Sequence, residues 1–342
     1  MITITTYNDN ETIKLFTLEN EGLKVVISQY GAMIKSIFVK SLQRETVCGL
    51  NTYKDDLEQT SYLGSAIGRV GNRIAYGKFS LNDKEYHLPI NNGHHHLHGG
   101  LKGFDKQVFE YQILDDKLIM TYTSKDGEEG YPGNCTLTLT YHLEESSLVL
   151  ETSGVCDQDT LFDPTQHTYF NLNEDKSPIL NHHLKLNSEF MYCIDESGVT
   201  YNKVLNTNDT LFDFSKSKLI SECLSGSHIQ LERNLGVDNY FLKKDQTNPF
   251  MVEMRVNDLV LSIYTMHPGA HVYTGNYLEP LNNGSFYPFF VKNGGICFET
   301  QHVPNSINFD HSLAPILKAN QTVTSRTVYH YKKGETHGNH NI

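Results

Sequence analysis

Along Thr136-Leu137-Thr138-Leu139-Thr140-Tyr141-His142-Leu143, apolar residues fall at every second position. A pleated strand turns successive side chains to opposite faces, so this run predicts a strand with one face inward and one outward. The run from Ser147 to Ser153 is again strand-like, and the polar Glu144-Glu145-Ser146 between them has the length of a hairpin link. Further turns fall where Asn-Asp or Asp-Asp interrupts such runs. Asn82-Asp83 separates Phe79-Ser80-Leu81 from Tyr86-His87-Leu88, Asp115-Asp116 precedes Lys117 to Tyr122, and Asn257-Asp258 lies between Phe250 to Val256 and Leu259 to Tyr264. Asn and Asp tolerate the left-handed backbone that tight hairpins require, so antiparallel meanders are expected.

Helical periodicity is scarce. Tyr53 to Gln59 and Lys216 to Leu224 are the candidates, both shorter than an average helix, and a doubly wound sheet with helices between its strands is disfavoured. Strand signals continue through Gln321 to Tyr331, after which Lys332 to Ile342 is polar and expected to fray. No repeat of fixed period and no Pro, Ser or Gly linker divides the chain. The pattern therefore predicts one all-β domain over residues 1–342, a large antiparallel β-sandwich with few short helices.

Composition narrows the partners. The 342 residues are enough to bury roughly three quarters of the unfolded surface. With 28 basic against 40 acidic residues, a net charge of −12 and no basic run, neither nucleic acid nor an anionic membrane is an expected partner. The six cysteines, Cys48, Cys135, Cys156, Cys193, Cys223 and Cys297, form no Cys-x-x-Cys pair and read as isolated thiols of a reducing compartment. Met1 to Asn10 has no basic start leading into an apolar stretch, and no apolar run is long enough to span a bilayer, so a cytoplasmic soluble protein is expected.

Several chemistries lack their signatures. Gly77-Lys78 is followed by Phe79 rather than a hydroxyl residue, and there is no Gly-x-Gly-x-x-Gly, Gly-x-Ser-x-Gly or His-Glu-x-x-His. No nucleotide cofactor is indicated. In His94-His95-His96-Leu97-His98, an extended backbone points His96 and His98 the same way, as a cupin-type metal site requires. That site also wants a glutamate a few residues on, where Leu101, Lys102 and Gly103 stand. No metal site is expected there; the run reads as a solvated His-rich loop or, at His98 before Gly99-Gly100, as a polar contact to a small ligand.

Two segments set ionisable groups among apolar neighbours. His167, Tyr169 and Asn171 share one face of an extended segment, and Glu299 follows Ile296-Cys297-Phe298, where burial would raise its pKa toward that of a base working near neutral pH. Both are open to a purely structural, hydrogen-bonded reading. Gly68-Arg69-Val70-Gly71-Asn72-Arg73-Ile74 offers two guanidinium forks: Arg73 suits paired hydrogen bonds to vicinal hydroxyls or a carboxylate, and Arg69 reads as surface charge. Asp238 precedes an aromatic strand in Gly236-Val237-Asp238-Asn239-Tyr240-Phe241.

In this order, the segments at 68 to 74, 97 to 100 (Leu-His-Gly-Gly), 126 to 133 (Asp-Gly-Glu-Glu-Gly-Tyr-Pro-Gly), 167 to 172, 237 to 241, 273 to 278 (Tyr-Thr-Gly-Asn-Tyr-Leu) and 298 to 301 resemble the galactose mutarotases, or aldose 1-epimerases, across essentially the whole chain. The resemblance implies a large antiparallel β-sandwich that interconverts the anomers of a free hexose, galactose or glucose, without metal or other cofactor. It implies Glu299 as general base and His167 as general acid, with Arg73, His98 and Asp238 holding the sugar and Asn72 and Tyr169 in the matching motifs. His271 stands where relatives often carry glutamine. The pair is expected to start with Glu299 ionised and His167 protonated, each charge holding the other. Two other readings compete: a hexose-6-phosphate 1-epimerase, which would want added basic residues at the pocket rim, and a non-catalytic carbohydrate-binding protein.

Overall fold

The computed structural model describes residues 1–334. Three antiparallel sheets make up most of it. The largest has nine strands in the order Glu110–Leu114, Lys117–Ser124, Cys135–Glu144, Ser147–Cys156, Thr322–Lys333, Leu259–Thr265, Phe250–Val256, His183–Leu186 and Lys218–Leu219. A six-stranded sheet runs Tyr169–Phe170, Ile296–Gln301, Gly269–Tyr273, Asp238–Lys243, Ser188–Ile194 and Thr200–Asn206. A five-stranded meander covers Ile2–Tyr7 to Arg44–Glu45. Their inner faces meet in one apolar cluster, to which the meander gives Phe16, Val25 and Ile37, the nine-stranded sheet Leu137 and Ile263, and the six-stranded sheet Phe241, Val272 and Phe298. Truncating a buried ring such as Phe298 to alanine would cost about 3–5 kcal/mol. The layered β architecture expected from the alternation is the one observed.

The polar links behave as their residue types require. Glu144 pairs with Ser147, Leu81 with Lys84, Leu114 with Lys117 and Val256 with Leu259, each across a two-residue turn. The first turn residue is left-handed in every case: Glu145 at φ 47°, Asn82 at 51°, Asp115 at 54° and Asn257 at 49°. This is the backbone that matches the right-handed twist of the flanking strands.

Helices and the last strand depart from the pattern in instructive places. The helix at Tyr53–Glu58 forms, with the side chain of Thr52 accepting the N–H of Asp55 at 3.1 Å. The segment from Lys216 to Leu224 does not form one helix: Lys218–Leu219 adds a strand beside His183–Leu184, and only Ile220–Leu224 is helical. A further short helix, Ile229–Arg233, carries too few residues to show a period. The last strand extends past Tyr331, because backbone pairing of Lys332 and Lys333 with Val260 and Leu259 needs no apolar side chain. Those two lysines are thus ordered in a strand rather than frayed, and residues 335–342 lie outside the described residues.

Candidate active site

Neighbouring strands of the six-stranded sheet deliver the chemistry to one place. Tyr169 pairs with Cys297, His271 with Glu299 and Asp238 with Tyr273, so Tyr169, Glu299, Tyr273 and Asp238 come from four adjacent strands. His167 is pinned by its backbone, which donates to Ser65 O and accepts from the N–H of Gly64. The short ladder Arg73–Ile74 with His96–Leu97 brings the chain at Asn72 against His98. That approach requires Gly99, at φ 83°, since a Cβ there would stand 1.7 Å from Gly68 O. All seven residues singled out from sequence (Glu299, His167, Arg73, His98, Asp238, Asn72 and Tyr169) line one open pocket of about 240 Å³.

The groups at its floor are close and dry. His167 Nε2 lies 3.6 Å from Glu299 Oε1, and His98 Nδ1 lies 3.9 Å from Glu299 Oε2. Glu299 is 1% exposed, and its Oε2 has no hydrogen-bond partner among the described residues. His98 Nδ1 accepts the backbone N–H of Asn72 at 3.1 Å, which leaves Nε2 to carry the proton and donate. Arg73 donates from Nε to Asn92 Oδ1 at 3.0 Å and from Nη1 to Gly198 O at 3.3 Å, leaving Nη2 without an acceptor among the described residues. Asp238 accepts from Asn234 Nδ2 at 2.6 Å and pairs with His271 Nε2 at 2.7 Å. His271 is thereby a buried support for Asp238.

Burial sets the protonation of this cluster. It pushes the Glu299 carboxyl well above the usual carboxylate range, with the charge of Asp238 adding and Arg73 opposing. Burial also takes the His167 imidazole down to about 4 and holds His98 well below its ordinary value. The pair expected to start with both groups charged is therefore neutral. Withdrawing two charges from water costs more than their attraction at 3.6 Å returns, so the pair's proton rests on Glu299. For Asp238 burial works against ionisation, but the hydrogen bond and charge of His271, with Arg73, bring its carboxyl below the ordinary range.

Other residues behave differently from their local pattern. Arg69 is 2% exposed, not surface charge, and its guanidinium donates to Ser124 Oγ and to the carbonyls of Ser124, Lys125, Pro132 and Gly133. His96 does not share a direction with His98, because His98 turns left-handed at φ 52°. Its Nε2 meets the Tyr131 hydroxyl at 2.9 Å and its Nδ1 the Pro89 carbonyl at 2.8 Å. Asn171 lies outside the pocket and donates to Ser177 O and Gly294 O. Conversely, Tyr62, Asn92, Tyr273 and Tyr277 line the pocket without having been singled out. Donor atoms of His98, His167 and Glu299 lie within 4.8 Å of one another, a spacing a cation could use, but the Arg73 guanidinium beside them opposes one.

A family model described as aldose 1-epimerase matches residues 14–330. The chain belongs to the aldose 1-epimerase family. A galactose mutarotase from Sus scrofa is 34% identical over 325 residues, 93% of this chain and 94% of that protein. An aldose 1-epimerase from Haemophilus influenzae is 36% identical over 321 residues, 90% of this chain and 92% of the relative. The crystal structure of a galactose 1-epimerase from Lactobacillus acidophilus superposes with a TM-score of 0.85 at 26% identity, covering 98% of this chain and 99% of that one. An epimerase fold is thus shared end to end, and no helix among the described residues is long and apolar enough to cross a membrane.

Proposed function

We propose that the protein interconverts the α and β anomers of a free aldohexose, galactose or glucose, by acid/base opening and reclosure of the ring. The observation that carries this reading is the placement of Glu299 and His167, 3.6 Å apart, buried, and lining one sugar-sized pocket. The two oxygens that must exchange protons, the C1 hydroxyl and the ring oxygen, are bonded to the same carbon. One carboxylate and one imidazole lying side by side, rather than across a ring's width, can reach both.

In the productive form the proton of the pair sits on His167. Glu299 takes the C1 hydroxyl proton as His167 protonates the ring oxygen, the C1–O5 bond breaks, and an open aldehyde forms. Rotation about the C1–C2 bond presents the other carbonyl face, and reclosure with reversed roles returns both protons. His98 Nε2–H and the free Nη2 of Arg73 suit donation to sugar hydroxyls, and Asp238 suits accepting from them. Tyr62, Tyr169, Tyr273 and Tyr277 supply the aromatic surface of a chain without Trp. Arg73 is the only lysine or arginine among the lining residues, which favours an uncharged sugar over its phosphate.

The test is polarimetry of freshly dissolved α-D-galactose. The wild type should speed the decay of rotation, and Glu299→Ala and His167→Ala, verified as folded, should each lower kcat by about 100- to 10,000-fold. Full activity in either variant removes that residue from the reaction. Binding of galactose with anomer exchange left at the spontaneous rate would make the protein a binder instead.

A further inference from the structure

A second constellation of chemistry-bearing side chains lies away from the sugar pocket. Asp163, His267 and His302 line a separate cavity of about 180 Å³ that shares no lining residue with the sugar pocket. One donor atom from each of the three lies within 4.8 Å of the others. None of the three was picked out from the sequence, because Asp163 and His302 sit more than a hundred residues apart and His267 belongs to no motif.

The cluster is built rather than incidental. Asp163 is 3% exposed; its Oδ2 accepts the backbone N–H of His302 at 3.0 Å, and its Oδ1 meets His302 Nδ1 at 2.8 Å. Its backbone N–H donates to Arg69 O and its carbonyl accepts from Gly71, so the carboxylate hangs from a fixed point. An Asp–His pair alone would be an ordinary charge-assisted hydrogen bond. It leaves His267 unexplained. That residue is 9% exposed, its ring stands perpendicular to that of His302 with centroids 5.7 Å apart, and its ring nitrogens have no hydrogen-bond partner among the described residues. With no partner of its own among the described residues, this imidazole has ring-nitrogen hydrogen-bonding capacity left for a ligand in the cavity it lines. His302 has 38% of its side chain exposed, which opens the cavity to solvent on one side.

Two imidazole nitrogens and one carboxylate oxygen are the donor set preferred by borderline divalent cations such as Zn²⁺ or Co²⁺, with a remaining position for water, whereas Mg²⁺ and Ca²⁺ favour oxygen throughout. We propose that Asp163, His267 and His302 form a binding site for a divalent transition cation, distinct from the sugar pocket. The hydrogen bond from the His302 backbone to Asp163 Oδ2 would orient the carboxylate, as outer partners do in metal sites.

The experiment uses the full chain stripped of metal with a chelator, titrated with Zn²⁺ by calorimetry and with Co²⁺ by visible absorption. His302→Ala, at the exposed edge of the cavity, is the primary variant; His267→Gln is the second and His167→Ala the control for the other histidine cluster. Circular dichroism checks that each is folded. One equivalent of cation should bind to the wild type and to His167→Ala, and its affinity should fall by more than about 10- to 100-fold in His302→Ala and His267→Gln. Zn²⁺ should raise the Tm of the wild type and not of His302→Ala. The proposal is overturned if no equivalent binds, if binding survives both cavity variants unchanged, or if only His167→Ala abolishes it.

Discussion

Arg69 and Arg73 stand four residues apart in one glycine-rich segment and serve opposite ends. Every guanidinium nitrogen of Arg69 meets an acceptor, four backbone carbonyls and Ser124 Oγ among them, and the side chain is sealed from water. Arg73 is held by two contacts at its inner edge and leaves Nη2 free toward the pocket. The fully satisfied fork ties the loops at 124–125 and 132–133 to the site's own segment. The partly satisfied one keeps hydrogen-bonding capacity for a ligand. Chemical type is the same in both, and only the count of unmade bonds separates scaffold from recognition.

Removing Arg69 should show the largest effect on stability. Arg69→Ala strands several buried carbonyls, and a loss of about 3–5 kcal/mol is expected in denaturant unfolding. A loss below about 1 kcal/mol would place Arg69 on the same footing as a surface side chain. Arg73→Ala should leave unfolding nearly unchanged yet lower kcat/KM by about 10- to 100-fold, the worth of a charged hydrogen bond of roughly 1.5–3 kcal/mol. If its Tm falls as far as that of Arg69→Ala, the contrast between the two arginines is lost.

The pH profile sharpens the same contrast at the floor of the pocket. Glu299 and His167 together hold one proton between the low value of the imidazole and the raised value of the carboxyl. Below about 4 the imidazole takes up a second proton and the base is lost; above the raised carboxyl value the pair's proton leaves and the acid is lost. A plot of kcat/KM against pH should be bell-shaped, its acid limb near 4 and its alkaline limb above the ordinary carboxylate range; a flat profile contradicts the pairing. The smallest effect is expected at Cys297. Burial holds its thiol protonated, and its Sγ lies 3.5 Å from His167 Nδ1, whereas Nε2 is the ring nitrogen near Glu299. Cys297→Ala should change kcat by less than about tenfold, since an S–H bond is weak; a change as large as that of His167→Ala would make the thiol part of the proton path.

Much of this was legible in the chain before folding. The alternation from Thr136 to Leu143 and the Asn and Asp turns follow local rules, and each of those hairpins formed, although Glu144 joins the strand and the link after it shortens to Glu145-Ser146. The pocket residues in the motif segments were readable as types, although Tyr273 and Tyr277 passed unremarked inside one such segment. Non-local quantities were not readable. The burial of Arg69 depends on carbonyls 55 to 64 positions away, and the fate of His96 depends on Tyr131, 35 positions on. The protonation of His167 turned on how dry the pocket is, which no spacing records. Tyr62 and Asn92 reach the sugar pocket from loops whose course is set by the rest of the fold.

The nearness of Glu299 to His167 has a thermodynamic corollary. Two groups that attend to both oxygens of one carbon, and end each cycle as they began, retain no memory of which face of the aldehyde was closed. Such a pocket hastens the approach to the anomeric balance from either direction while leaving its position to the sugar and the surrounding water.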